Sequence, residues 1–189
     1  RSTPKPSSAA SDVYKRQVGA GVIGAGWAAR MLACGLIVNA YDPSVKARKQ
    51  LLSNTKTALK SLQRLGLNKN AKLSNLKIYS DLRESLHSTT FVQENAPENE
   101  KLKKKLLKDI DKLLPKNIII ASSSSGLLPT RIQSLCHYPE RVCIGHPFNP
   151  VYLLPLVELV SGKQTKKNTI TRAKKFYEGI GMKPLIVKK

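Results

Sequence analysis

From Val18 onward the chain alternates short apolar runs with longer stretches in which apolar residues recur every three or four positions. The runs LIVNAY, LKIYSD, TFVQEN, NIIIASSSS, RVCIGH, LPLVELV and KPLIV predict strands. The helical spacing predicts helices over 25–34, 45–66, 98–114 and 168–181, with shorter ones at DLRESLHS and from Pro129 and Thr130. Gly66 reads as a C-terminal cap and Pro115 as a stop. In the 98–114 helix Leu102, Leu106, Ile110 and Leu113 make the apolar face, and lysines cover the solvent side. Strands that alternate with helices at this spacing predict an α/β fold. It is a Rossmann-type, doubly wound, mainly parallel sheet with helices on both faces, formed by one domain over 18–189. No internal repeat or long linker interrupts it.

One segment breaks the pattern. The stretch SSAASDVYKRQ, Ser7 to Gln17, runs straight into a glycine-rich loop, where a doubly wound sheet needs its central, doubly buried strand. Tyr14, Lys15, Arg16 and Gln17 stand in that strand's place. Read back into codons, the eleven residues match the adapter of transposase-made sequencing libraries. Residues 1–17 are therefore expected to be non-native, with residues near 14–18 drawn into the gap left by the true first strand.

Composition changes little. The chain has 189 residues, enough for one α/β domain, and 41% hydrophobic against 24% charged residues is ordinary for a globular protein. No apolar run is long enough to span a bilayer, and no secretory signal pattern is visible. Cys34, Cys136 and Cys143 show no CxxC or zinc-type spacing and read as free thiols, with no metal site. The formal net charge of +21 admits a nucleic-acid binder, but aromatics make up only 5% and no RNA-binding signature is present. Lysine is absent between Asn117 and Gly162, where the candidate chemistry is densest.

Gly19, Gly21 and Gly24 form G-x-G-x-x-G in GAGVIG, a tight turn that brings backbone, with Val22 and Ile23, close to a diphosphate at a helix N-terminus. Asp42 follows at the end of the next strand. There it would take the adenosine ribose hydroxyls and repel a ribose phosphate, favouring NAD over NADP. Lys46 and Arg48 soften that preference, and Asp42 also reads as a turn or capping residue in Asp-Pro-Ser.

A second constellation lies in SSSSGLLPT and GHPFNPVYLLPLVELV. His146 ends a strand before a Pro-Phe-Asn-Pro turn, where an imidazole can exchange a proton near neutral pH. Glu158, in an apolar strand, is expected to be buried and to need a partner. His146 would supply one, though a structural histidine fits the spacing too.

These motifs together resemble the cofactor domain of the 3-hydroxyacyl-CoA dehydrogenase superfamily, over Val18 to Lys189. FVQENAPE, SSSSGLLPT and GHPFNPVYLLPLVELV are most similar to its carnitine 3-dehydrogenase branch; the CoA enzymes carry an HFFNPVP-type turn where this chain has HPFNPVY. The resemblance implies NAD as cofactor, His146 as general base and Glu158 as its carboxylate partner. It further implies that Ser125 and Asn149 orient the substrate oxygen and that Glu94 lies on the cofactor side of the cleft. Ser125 as a helix cap and Asn149 as a turn residue stay open beside those roles. His87 and His137 match nothing in the family and read as surface residues.

The implied activity is NAD-dependent oxidation of a small 3-hydroxy acid, L-carnitine first and a 3-hydroxyacyl-CoA second. The family continues past this chain's Lys189 into a helical domain, so a fragment lacking that domain is expected, with homodimerisation of the full-length protein through it. A cytoplasmic location is expected, without nucleic-acid or membrane partners. The reading from another class is an NAD-binding module without turnover.

Overall fold

The computed structural model describes residues 14–64 and 66–187. Eight strands form a single sheet in the order β3-β2-β1-β4-β5-β6-β7-β8. They are β1 (Tyr14–Val18), β2 (Ile37–Tyr41), β3 (Leu76–Tyr79), β4 (Phe91–Glu94), β5 (Ile119–Ser122), β6 (Val142–Pro147), β7 (Leu156–Ser161) and β8 (Lys183–Ile186). All neighbouring pairs are parallel except β6 and β7, which are antiparallel. The helices are α1 (Val22–Ala33), α2 (Val45–Gln63), α3 (Leu82–Ser85), α4 (Glu100–Leu113), α5 (Pro129–Ile132) and α6 (Lys167–Gly179). The backbone of Tyr14–Val18 fills the central slot, with Lys15 opposite Val38 on one side and Arg16 opposite Val92 on the other. The rest of the segment expected to be foreign, residues 1–13, lies outside the described residues. No helix among the described residues is long and apolar enough to cross a membrane.

Local chemistry sets the helix starts. Ser44 caps α2 by accepting from the Ala47 N–H at 3.3 Å, Asp81 caps α3 from Glu84, and Asn99 caps α4 from Leu102. Pro129 opens α5 at its first turn, where a missing N–H costs nothing. α1 begins at Val22, a turn earlier than the apolar spacing predicts. α2 ends at Gln63, and Gly66 follows with a φ of +83°.

Strand alternation divides the core. Phe91, Ile119, Ala121, Cys143, Val157 and Leu159 pack under Trp27 and Met31 of α1 and Tyr177 of α6. Their alternates Val92, Ile120, Val142 and Ile144 pack under Leu107 and Ile110 of α4 and Ile132 of α5. The buried face of α4 is wider than the predicted one: Ile110 is buried, and Leu106 and Leu113 pack against the core as expected. Leu102 is exposed, while Lys103, Leu107, Ile110 and Asp111 are buried. Asp111 carries a buried ion pair with Arg141 at 2.7 Å. The lysines of this helix therefore do not all face solvent, because Lys103 has a buried acid to meet.

Candidate active site

The glycine loop leaves β1 and enters α1 with no side chain capping the helix; Gly21 is the N-cap and makes no side-chain hydrogen bond. The first-turn N–H groups therefore face the cleft, the arrangement that binds a diphosphate. Gly19 cannot be replaced: its φ is +94°, and a Cβ there would sit 2.7 Å from the backbone of Asn95. Asp42 accepts from the Ala20 N–H through Oδ2 and from the Ser44 N–H through Oδ1, both at 2.9 Å. It ties the loop to the end of β2 and also makes the Asx-type turn. Arg48 is committed to the Asp42 and Pro43 carbonyl oxygens at 2.7 and 2.9 Å.

A cleft of about 350 Å³ opens at the carboxyl ends of the central strands. Gly21, Val22 and Ile23 form one wall, Asn95 to Glu98 another, and Ser123, Ser125, His146 and Pro147 the far side. His146 stands two residues beyond Ile144 on the α4 face of the sheet. The antiparallel register sets it opposite Glu158. Its Nδ1 lies 3.0 Å from Glu158 Oε2. The two side chains are 27% and 34% exposed, so Glu158 is not the buried carboxylate its strand implies. With its proton on Nδ1 the imidazole donates to the carboxylate, and Nε2 is then the acceptor.

Glu98, absent from the predicted set, organises the serine turn. Its Oε1 accepts from the Ser124 hydroxyl at 2.5 Å and from the Ser125 and Gly126 N–H groups at 3.1 and 2.9 Å. Partial burial alone would raise its carboxyl, but the Ser124 hydroxyl, the Gly126 N–H, Lys103 and the Ser125 N–H outweigh that and hold it below the usual range. Ser125 is exposed on the cleft wall, and no side chain of its own caps α5, whose N-cap is Leu128.

Two predicted residues sit elsewhere. Glu94 does not face the cofactor cleft. Like Val92 two residues earlier it points toward α4, and its carboxylate is fully buried. Lys103 Nζ donates to both its oxygens at 2.9 and 3.0 Å, and the Ser122 hydroxyl and Ala96 N–H complete the shell. Asn149 is exposed in the turn after β6 and lies outside the cleft walls. His87 and His137 are exposed and remote from the cleft. The three cysteines are free.

Residues 17–189 match the model of the 3-hydroxyacyl-CoA dehydrogenase NAD-binding domain. An L-carnitine dehydrogenase of Burkholderia mallei is 47% identical over 172 residues, which is 91% of this chain and 54% of that protein. The L-carnitine dehydrogenase of Oceanobacillus iheyensis is 42% identical over 91% of the chain and 56% of its own length. The chain thus spans about half the length of the curated relatives it matches. Among solved structures, an NAD+-dependent 5-formyl-3-hydroxy-2-methylpyridine 4-carboxylic acid 5-dehydrogenase superposes with a TM-score of 0.87 at 31% identity, covering 93% of this chain and 57% of that one. A (S)-3-hydroxybutyryl-CoA dehydrogenase of Ralstonia eutropha gives 0.85 at 32% identity, covering 93% and 63%. The uncapped glycine loop, the acid at the end of β2 and these matches agree: the chain belongs to the 3-hydroxyacyl-CoA dehydrogenase NAD-binding domain family.

Proposed function

We propose that this domain serves the NAD-dependent oxidation of a 3-hydroxy acid, with L-carnitine as the substrate. The observation that carries the reading is the His146–Glu158 pair at the rim of the cleft that begins at the glycine loop. The open N-terminus of α1 and the open space beside Gly21 fit a dinucleotide diphosphate, and Asp42 fits the adenosine ribose. NAD, when bound, supplies the hydride acceptor. His146 Nε2 takes the proton from the substrate hydroxyl, and Glu158 stabilises the imidazolium that results. Ser125, fixed through its backbone by Glu98, offers its hydroxyl to the substrate oxygen. Asn149 is assigned to the same oxygen, which requires the 148–150 turn to fold over the cleft. The carnitine assignment rests on the L-carnitine dehydrogenases among the relatives. A second reading, cofactor binding without turnover, is favoured by the exposure of the His146–Glu158 pair.

The test is NADH formation from L-carnitine and from 3-hydroxybutyryl-CoA, run beside NADH binding and repeated with His146→Ala. Carnitine turnover that His146→Ala abolishes, with NADH affinity kept, is the expected result. Turnover of the CoA ester alone moves the substrate to the acyl-CoA class. Binding without turnover of either selects the second reading, and an active His146→Ala variant refutes the proton-transfer role.

A further inference from the structure

A chain of buried polar side chains runs beneath the cleft and belongs to neither the glycine loop nor the His146–Glu158 pair. The Tyr177 hydroxyl, on α6, donates to Gln93 Oε1 on β4 at 2.5 Å. Gln93 Nε2 donates to Ser123 Oγ at 2.8 Å and to the Gly145 carbonyl at 3.2 Å. Trp27 Nε1, on α1, donates to the same Ser123 Oγ at 3.1 Å. The Ser123 hydroxyl donates to Asn95 Oδ1 at 2.7 Å, and Asn95 Nδ2 donates to the Gln93 carbonyl at 3.1 Å. Tyr177, Gln93 and Trp27 are fully buried, whereas Ser123 and Asn95 line the cleft. Burial raises the Tyr177 phenol well above its ordinary range, so it stays an O–H donor.

Donor accounting gives this chain a direction. A serine hydroxyl has one proton and two lone pairs, and here all three are used, so its hydrogen points only at Asn95. That contact fixes which end of the Asn95 amide is oxygen. An apolar core of the same volume would hold the layers together equally well, because buried polar chains add little net stability. What the polar chain adds is orientation at the cleft wall. The backbone of Asn95, the residue after β4, also lies against Gly19 of the glycine loop. Asn95 lines the same cleft as Gly21 and His146.

We propose that Tyr177, Gln93 and Ser123 are positioning residues that hold the Asn95 amide in one orientation against the nicotinamide-ribose half of the dinucleotide, with Trp27 tying this wall to the helix of the glycine loop. The proposal rests on the reading of His146 as the reacting end of the cleft. The polar groups it implies on the ligand are ribose hydroxyls and a carboxamide, which an oriented amide can pair with and a rotating one cannot hold as well.

The experiment compares NADH with ADP-ribose, which lacks the nicotinamide half, as ligands of the 189-residue chain and of Tyr177→Phe, Ser123→Ala and Ser123→Thr. Tyr177→Phe and Ser123→Ala are expected to lower NADH affinity by about fivefold and to leave ADP-ribose affinity within about twofold. Ser123→Thr, which keeps the hydroxyl, restores NADH affinity. Trp27, the single tryptophan, shifts its emission in Ser123→Ala and not in Ser123→Thr. Should Tyr177→Phe fail to fold, Ser123→Ala on the cleft wall gives the same reading. Parallel weakening of both ligands, or an unchanged ratio between them, overturns the proposal. Wild-type protein that binds NADH no tighter than ADP-ribose overturns the reading of the His146 end, and the positioning role with it.

Discussion

Replacing Lys103 by methionine tests the least expected feature of the core. The side chain is 1% exposed and its partner Glu94 is fully buried, at 2.9 Å. Methionine keeps most of the volume and removes the charge. Glu94 then keeps only the Ser122 hydroxyl and the Ala96 N–H, and Ala96 loses the ammonium bonded to its carbonyl at 2.8 Å. An uncompensated buried charge costs about 3–5 kcal/mol, against a total stability of roughly 5–15 kcal/mol. For a chain of this size that is a fall in melting temperature of about 6–20 °C. Glu94→Gln in the same chain removes the orphaned charge, so the double variant should regain about 1–4 kcal/mol over Lys103→Met alone. Urea and thermal melts followed by circular dichroism measure both changes. If Lys103→Met melts with the wild type, Lys103 stands in solvent on α4 and the description of this face of the core is wrong.

Gly145→Ala should destabilise by about 2–6 kcal/mol in a urea melt, combining overpacking with a broken buried hydrogen bond. The new Cβ would lie 2.8 Å from Tyr177 Cζ and nearer still to its hydroxyl. A neutral Gly145→Ala would mean Tyr177 is not anchored to Gln93. Glu98 sits below its usual 4.5, so its share of stability is complete above that value and is lost as the pH falls through the lower folded value. Wild type should therefore lose more stability than Glu98→Gln between roughly pH 5 and pH 3; parallel acid melts would contradict this. NAD should bind more tightly than NADP, and Asp42→Ala should narrow that preference by about tenfold in paired titrations. An unchanged ratio would remove Asp42 from cofactor choice. Replacing Lys15 and Arg16 by valine should raise the melting temperature, because β1 is central and parallel strands of that kind are apolar. Equal melting temperatures would show that the present strand is competent as it stands.

The features legible in the sequence are those carried by short-range pattern. Short apolar runs marked the strands, and GAGVIG marked a loop whose geometry only glycine permits at Gly19. His146 and Glu158 were readable as a pair because both lie on one hairpin. Lys103 was not, because α4 carries two overlapping apolar stripes, Leu102-Leu106-Ile110-Leu113 and Leu107-Ile110-Leu114. Residues of both stripes pack against the core, and only the tertiary partner Glu94 singles out Lys103. Glu98 was hidden for the same reason: its partners, Ser124, Ser125 and Gly126, belong to a turn two elements away. The Tyr177–Gln93 contact joins residues 84 apart, beyond the reach of any local period.

The β6–β7 hairpin separates what must stay constant from what can be redesigned. His146 faces Glu158 because two backbones keep register across a ladder, which the Phe148 N–H to Leu156 carbonyl bond closes at the start of the turn. Within the turn Val151 is buried against Gly26 of α1, so a graft that keeps this anchor and the closing bond would preserve the pair. A one-residue deletion inside an arm would turn that arm's member of the pair to the opposite face of the sheet and part the carboxylate from the imidazole at a stroke. For an engineer working on this scaffold, the exposed Leu153 and Leu154 of the turn are editable, and the Val151 anchor and the two arms are not.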